Sequence, residues 1–307
     1  MNRITLLTVA VVVLYALFIE WMFGWAAILA GWKAVGLPAV MAALALLVAT
    51  YAVRTHRMRD YFPRETAGRG VRLFRVVQVH NLLNIMLPFR AGETSFPVLM
   101  RAEFGIPLAR GAAALVVLRL LDLHALAAAA GLGLVLAAPD PSAAGALWLA
   151  FLVLPLLLFP LRRPLLSKAR RLLPQRLSGM VAHVEAGIPP DLGAFLRAWA
   201  LTVVNWGVKV LVLAWVLGLM GVAPVAATFG GALGGELSSV LPVHAPAGVG
   251  TYPAGIAAGA AAFGGASISL DTLGRASVNT HLLMVVSALA GTGLALLLSA
   301  FEGRRPD

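Results

Sequence analysis

Asn81, Asn84, Arg90 and Glu93 stand close together in the run Asn81-Leu-Leu-Asn84-Ile-Met-Leu-Pro88-Phe-Arg90-Ala-Gly92-Glu93. A guanidinium fork matches phosphoryl oxygens in two-point fashion. Arg90, together with Arg119 further along, therefore suits a phosphate, and the two asparagine amides suit sugar or phosphodiester oxygens. Glu93 and Asp122 supply the balancing negative charge. Arg119 and Asp122 are three apart, on one face of a helix. They serve either such a site or a structural ion pair locking two helices, and spacing alone leaves both open.

A second polar run lies about 150 residues later, with Glu236, Ser238, Ser239, His244, Gly248 and Gly250. The backbone amides around Gly248 and Gly250 are further candidate donors to an anion. His124 and His281 lie late in helical stretches, where hydrogen-bonded core histidines are the ordinary outcome. No histidine or carboxylate pair has metal-ligand spacing, so no metal is expected. Gly-x-Ser-x-Gly is absent, no nucleotide loop is visible, and no cofactor is expected. Gly230-Gly231 and Gly234-Gly235 have the spacing of a helix-packing face.

The surroundings of these residues are too apolar for a soluble core. The chain is 60% hydrophobic and 12% charged, against about 45–50% and about 25% in soluble domains. This composition specifies a polytopic membrane protein, so the polar runs fall at or near bilayer depth. A charged residue at the centre of a span costs at least ~2.5–3.5 kcal/mol, which makes such residues face a cavity or a partner. The net charge of +11 is concentrated in two loops. Residues 54–75 hold seven arginines against Asp60 and Glu65, and residues 162–176 hold five arginines and Lys168. Lys/Arg-rich short loops mark the cytoplasmic side and attract anionic lipid. Aromatic residues do not interleave with these charges, so nucleic acid is not an expected partner. With no cysteine in the sequence, disulfides and thiolate chemistry are excluded.

The apolar segments lay out about six crossings, with both termini on the cytoplasmic side of a bacterial inner membrane. Residues 4–23 form an uncleaved first span, and 24–34 a short loop rimmed by Trp21, Trp25 and Trp32. Residues 35–53 return. The segment 108–138 is a long span, 147–161 comes back to a basic cytoplasmic loop at about 162–191, 192–219 goes out, and 276–301 closes the count. The loop 162–191 is expected to carry a short amphipathic surface helix. Two stretches, about 71–105 and about 225–264, are broken by proline and glycine and too short to span after the break. They read as re-entrant helical hairpins, because broken backbone at membrane depth is tolerated only where it lines a cavity or is buried in protein.

The two hairpins share a grammar. Leu87-Pro88, Gly92 and Phe96-Pro97 match Leu241-Pro242, Gly248 and Tyr252-Pro253, and 22 residues then lead from Pro97 to Arg119 and from Pro253 to Arg275. The first enters from inside and the second from outside, so the copies form an inverted repeat. Paired breaks of this kind point to a transporter's binding site. The fold class is all-α: a single membrane domain over 1–307 of about six transmembrane helices plus two hairpins.

The run Asn81 to Glu93, with Arg119-x-x-Asp122 downstream, resembles the lysylphosphatidylglycerol synthase transmembrane-region family, also called flippase-like or YbhN-like. Leu241-Pro242 with Pro246-x-Gly248-x-Gly250 is similar to that family's second signature. The resemblance extends over roughly residues 5–300. It implies movement of a lipid across the bilayer. On the residues themselves, the lipid headgroup is expected between the two hairpins, its phosphate on Arg90 and Arg119. The soluble synthase domain of the bifunctional members is not expected here, since the sequence ends at Asp307. The expected partner is a membrane lipid, and the reading leaves room for a lipid-synthesising partner enzyme and for a homo-oligomer. Two other readings stay open: an intramembrane enzyme using Glu93 or Asp122 as base, and a non-transporting scaffold for a lipid-modifying enzyme.

Overall fold

Helix follows helix along the chain because the sequence is long apolar runs punctuated by glycine and proline. The computed structural model describes residues 3–172, 174, 181, 182, 184–240 and 245–302. Helix α1 (Arg3–Met22) is followed by α2 (Trp25–Val35) and α3 (Leu37–Arg59). The stretch 25–35, expected as loop, is helical, and it is bent by 81° from the helix before it. Gly24 makes the corner at φ 73°, a conformation cheap only for glycine. The Glu20 carboxylate accepts the Trp25 N–H at 2.8 Å, satisfying a donor that a helix start leaves open.

Helix α4 (Gly70–Met86) runs up to the break, where Pro88–Thr94 winds into a 3-10 turn before α5 (Ser95–Phe104). Then come α6 (Leu108–Ala137), α7 (Pro141–Leu158) and the short α8 (Arg162–Leu172). Asp140 caps α7, its side chain accepting the Ser142 and Ala143 amides, with Pro141 in the first turn. Helix α9 (Leu192–Leu219) leads to α10 (Val225–Val240), α11 (Thr251–Ala260) and the long α12 (Leu270–Glu302), which begins six residues earlier than the apolar pattern suggests. Among the described residues, five helices are long and apolar enough to cross a membrane, six if the bent α1–α2 pair counts as one span. The protein is an all-α polytopic membrane protein, as its composition requires.

The chain divides into two units, each drawn from separated stretches. The first comprises Met1–Tyr51, Gln78–Glu93 and Gly207–Asp307, the second Ala52–Val77 and Thr94–Trp206. Within the first, α10 and α11 lie backbone to backbone. A Cβ on Gly230 would run into the Gly259 carbonyl, and one on Gly234 into the Gly255 carbonyl. The glycine pairs are therefore a helix-packing face, as their spacing suggests. Within the second unit, Phe62, Leu73, Phe96, Met100, Ile106 and Leu118 form a buried apolar cluster. Phe159 and Phe195 stack at 4.2 Å between ring centres beside Leu121.

Candidate functional site

Both breaks end in the same local pattern. Ser95-Phe96-Pro97 opens the ten-residue helix α5, and Thr251-Tyr252-Pro253 opens the ten-residue helix α11. Proline is tolerated there because a first-turn N–H has no intrahelical partner. Phe96 and Tyr252 are each buried. Among the described residues, two non-glycine residues take positive φ, Arg90 at 55° and Ala247 at 56°, and each lies in one of the two breaks. Backbone strain of ~1–3 kcal/mol per residue of this kind persists only where the surroundings over-determine it, and it clusters at functional sites.

In the first unit the break folds back onto its own helix. A Cβ on Gly92 would collide with the Leu83 carbonyl and the Asn84 Cα, so only glycine permits this approach. That return brings Arg90, Gly92 and Glu93 alongside the turn of α4 carrying Asn81 and Asn84. The Arg90 guanidinium, mostly buried, donates to the Glu93 carboxylate and to the carbonyl of Val240, with the Ser239 carbonyl at 3.4 Å. Val240 is the last residue of α10, so Arg90 donates to carbonyls that a helix C-terminus leaves without intrahelical donors and opposes the negative end of its dipole. The arginine of the first break thus holds the helix that leads into the second.

Glu236, four residues earlier on the same helix, is fully buried. Lys209 of α9 donates to its Oε2 at 2.6 Å, and the Tyr252 hydroxyl donates to its Oε1 at 2.7 Å. One carboxylate therefore ties three elements of the first unit together, with each oxygen engaged. Tyr252 in turn stacks on His281 at 5.4 Å between ring centres. His281 Nε2 lies 2.8 Å from the carbonyl of the strained Ala247, and Nδ1 lies 3.1 Å from the Tyr15 hydroxyl. A carbonyl only accepts, so Nε2 carries the proton, and in the neutral ring Nδ1 accepts from Tyr15. Gly248 and Gly250 take φ of 72° and 70°. The Gly248 N–H donates to the Ala245 carbonyl at 2.9 Å, so this expected anion donor is already committed to the turn. His244, with Leu241 and Pro242, lies outside the described residues.

Arg119 and Asp122 belong to the second unit and meet different partners. Asp122 is 1% exposed. Its Oδ1 accepts from Arg57 at 2.6 Å and from the Trp206 indole at 2.9 Å, and its Oδ2 from Arg119 at 3.2 Å. Arg57, 2% exposed, also donates to Thr202 at 2.8 Å. Both charges are out of water, paired and hydrogen-bonded, the condition under which a buried ion pair survives. Of the two readings left open by spacing, this geometry matches the structural ion pair, with α3, α6 and α9 held through one carboxylate. Arg275, the counterpart of Arg119 in the repeat, instead pairs with Asp271 on its own helix at an exposed position. The repeat therefore extends through break and short helix but not to the arginine chemistry.

Two participants were not singled out from sequence. Arg57 sits among the seven arginines of 54–75, and as one of a run it reads as a topology signal. Nothing in its neighbours separates it from the others. Lys209 carried a signal, being a lone cation inside an apolar span, which requires a buried partner. His124 behaves as a core histidine, with Nε2 3.1 Å from the Leu152 carbonyl.

The family described as Lysylphosphatidylglycerol synthase TM region has a model that matches residues 5–300. No curated protein matches the chain, and no solved structure does.

Proposed function

Because this chain belongs to the lysylphosphatidylglycerol synthase TM region family, we propose that it moves a phosphate-bearing lipid between the leaflets of a bacterial inner membrane, with both termini cytoplasmic. The observation that carries the reading is the strained Arg90, whose guanidinium bridges Glu93 and the end of α10. A guanidinium offers five N–H donors in a fixed fork. A lipid phosphate arriving at the break competes for those donors with Glu93 and with the carbonyls of Ser239 and Val240. Headgroup binding then loosens the grip of Arg90 on α10, which links occupancy to movement of the second hairpin. The two breaks act as re-entrant hairpins of an inverted repeat, and the acyl chains stay in the bilayer. Asn81 and Asn84, beside the returning Gly92, bind headgroup oxygens. Arg119 is left out of the phosphate site because Asp122 engages it. Glu236, held by Lys209 and Tyr252, keeps α10 and α11 together one turn before the end of α10 that Arg90 releases.

Reconstitution in vesicles with a panel of headgroup-labelled lipids tests the proposal. The expected result is leaflet-to-leaflet movement of a subset of phospholipids, dependent on protein and selective by headgroup. Equal movement of all lipids and of protein-free controls would sink it. Product formation by the protein in detergent, where no second leaflet exists, would point to an intramembrane enzyme instead.

A further inference from the structure

The second break is tied to a titratable ring. His281 of α12 is 1% exposed, and its imidazole lies against the turn at Pro246–Gly248. A Cβ on Gly248 would come within 3.2 Å of Nε2, so glycine leaves the ring its place. The Nε2–H donates to the Ala247 carbonyl at 2.8 Å, and the Tyr15 hydroxyl lies 3.1 Å from Nδ1. Ala247 has φ 56°, and a residue so placed relaxes to ordinary backbone unless its surroundings hold it. Here the atom held is its carbonyl oxygen. The holder is a histidine, the side chain whose ordinary charge change falls between pH 5 and 8.

Both ring nitrogens keep a partner in either protonation state. In the neutral ring Tyr15 donates to Nδ1. When a proton from water binds Nδ1, that N–H donates to the Tyr15 oxygen instead, and the phenolic hydrogen turns away. A hydroxyl takes either role, while a carbonyl accepts in both states. Charging the ring therefore orphans no buried N–H. What changes is the bond to Ala247, which from a charged ring is charge-assisted and roughly twice as strong. The other titratable neighbours are committed. Tyr252 of α11 stacks on the ring and gives its hydroxyl to Glu236 of α10, whose charge Lys209 of α9 balances. On α1, Glu20 accepts the first N–H of α2, which carries Lys33 in its last turn. Tyr51 of α3 bonds Ser287, and Asp271 and Arg275, earlier on α12, pair with each other at exposed positions.

We propose that His281 is a proton-binding site that locks the second break. Charged, the ring holds Ala247 in its strained turn; neutral, it lets the turn open and Ala247 relax. Helix α1 packs against the same turn, so the group that switches role on proton binding, the Tyr15 hydroxyl, is carried by an element already seated there. All of these residues belong to the first unit. The lock stands whether or not the protein translocates a lipid. Under the proposed function it slows lipid movement in acid, by holding the second hairpin shut.

The test is hydrogen exchange of the full chain in detergent, read at the Gly248 and Val249 amides, which donate to the Ala245 and Pro246 carbonyls across the turn. Rates at about pH 5.5 and about pH 8, either side of the ordinary histidine transition, are divided by those of the same peptide free in solution. Wild type should show about tenfold more protection in acid, the gain of a charge-assisted over a neutral hydrogen bond. His281→Gln should lose that gain. Tyr15→Phe removes one oxygen and leaves the bond to Ala247, so it should fold as wild type does. It should lose the gain too, because the charged ring then has a buried N–H without its acceptor. His244→Gln, three residues before Ala247, should keep it. An acid gain absent from wild type, retained in His281→Gln or Tyr15→Phe, or lost in His244→Gln would overturn the proposal. Exchange is read without lipid movement, so failure of translocation with the gain intact refutes transport alone, and the reverse result refutes this lock alone.

Discussion

Among single residues, some charges of this protein are locked by their partners and others can exchange them. Asp122 is locked by Arg57, Arg119 and Trp206. Asp122→Asn leaves Arg57 buried against a neutral amide and should cost ~3–5 kcal/mol, seen as a large drop in the detergent melting temperature. Combining it with Arg57→Met should recover most of that loss, because two apolar or neutral groups need no compensation. Recovery would mark the pair as structural, and a double variant as unstable as the single one would argue against that. Glu236 invites the same comparison. Glu236→Gln keeps an acceptor for Tyr252 but leaves Lys209 without its counter-charge, so stability should fall while Lys209→Met with Glu236→Gln restores it. The breaks were legible in the sequence because proline, glycine and charge coincide at 88–93. The partners of those charges were not legible. Arg57 is chemically indistinguishable from six neighbouring arginines, and only folding selects the one that reaches Asp122.

At the scale of elements, glycine decides what can touch. Gly230 and Gly234 let α10 lie against Gly255 and Gly259 of α11 with backbone nearly in contact. Gly234→Val should force the pair apart and destabilise by at least ~1–3 kcal/mol, the ordinary cost of overpacking, measurable by thermal unfolding in detergent. Gly207, with nothing within reach of an added Cβ, is the control that should tolerate alanine. The spacing of the glycine pairs foretold this face. The helix 25–35 was not foretold, because its tryptophans read as an interfacial belt and Gly24 as a loop. A glycine corner capped by Glu20 joins two helices as readily as it ends one. At Asp140, the Ser142 hydroxyl and the Ser142 and Ala143 amides hold the carboxyl below its usual range. A lowered pKa stabilises above the unfolded value, about 3.9, and that contribution disappears as pH falls through the folded value. The melting-temperature difference between wild type and Asp140→Ala should therefore be full above about pH 4 and shrink on further acidification.

At the scale of the molecule, an apolar all-α chain carries two interruptions whose local structures repeat. Each has a strained residue in the break and a ten-residue helix opened by an aromatic-proline pair. The pattern was readable because the aromatic, proline and glycine are in register. Its limit was not readable, since Arg119 and Arg275 match in position yet one is buried in a network and the other lies exposed. Arg90 connects the two interruptions by holding the end of α10, and under the proposed function a lipid phosphate competes for that grip. The direct measurement is the rate at which a fluorescent phospholipid in vesicles becomes inaccessible to external dithionite quenching, for wild type and Arg90→Ala at equal reconstitution. Wild type should show headgroup-selective movement and Arg90→Ala should lose it, with the melting temperature of the variant showing that it is folded. Movement by Arg90→Ala at the wild-type rate and with the same selectivity would contradict it.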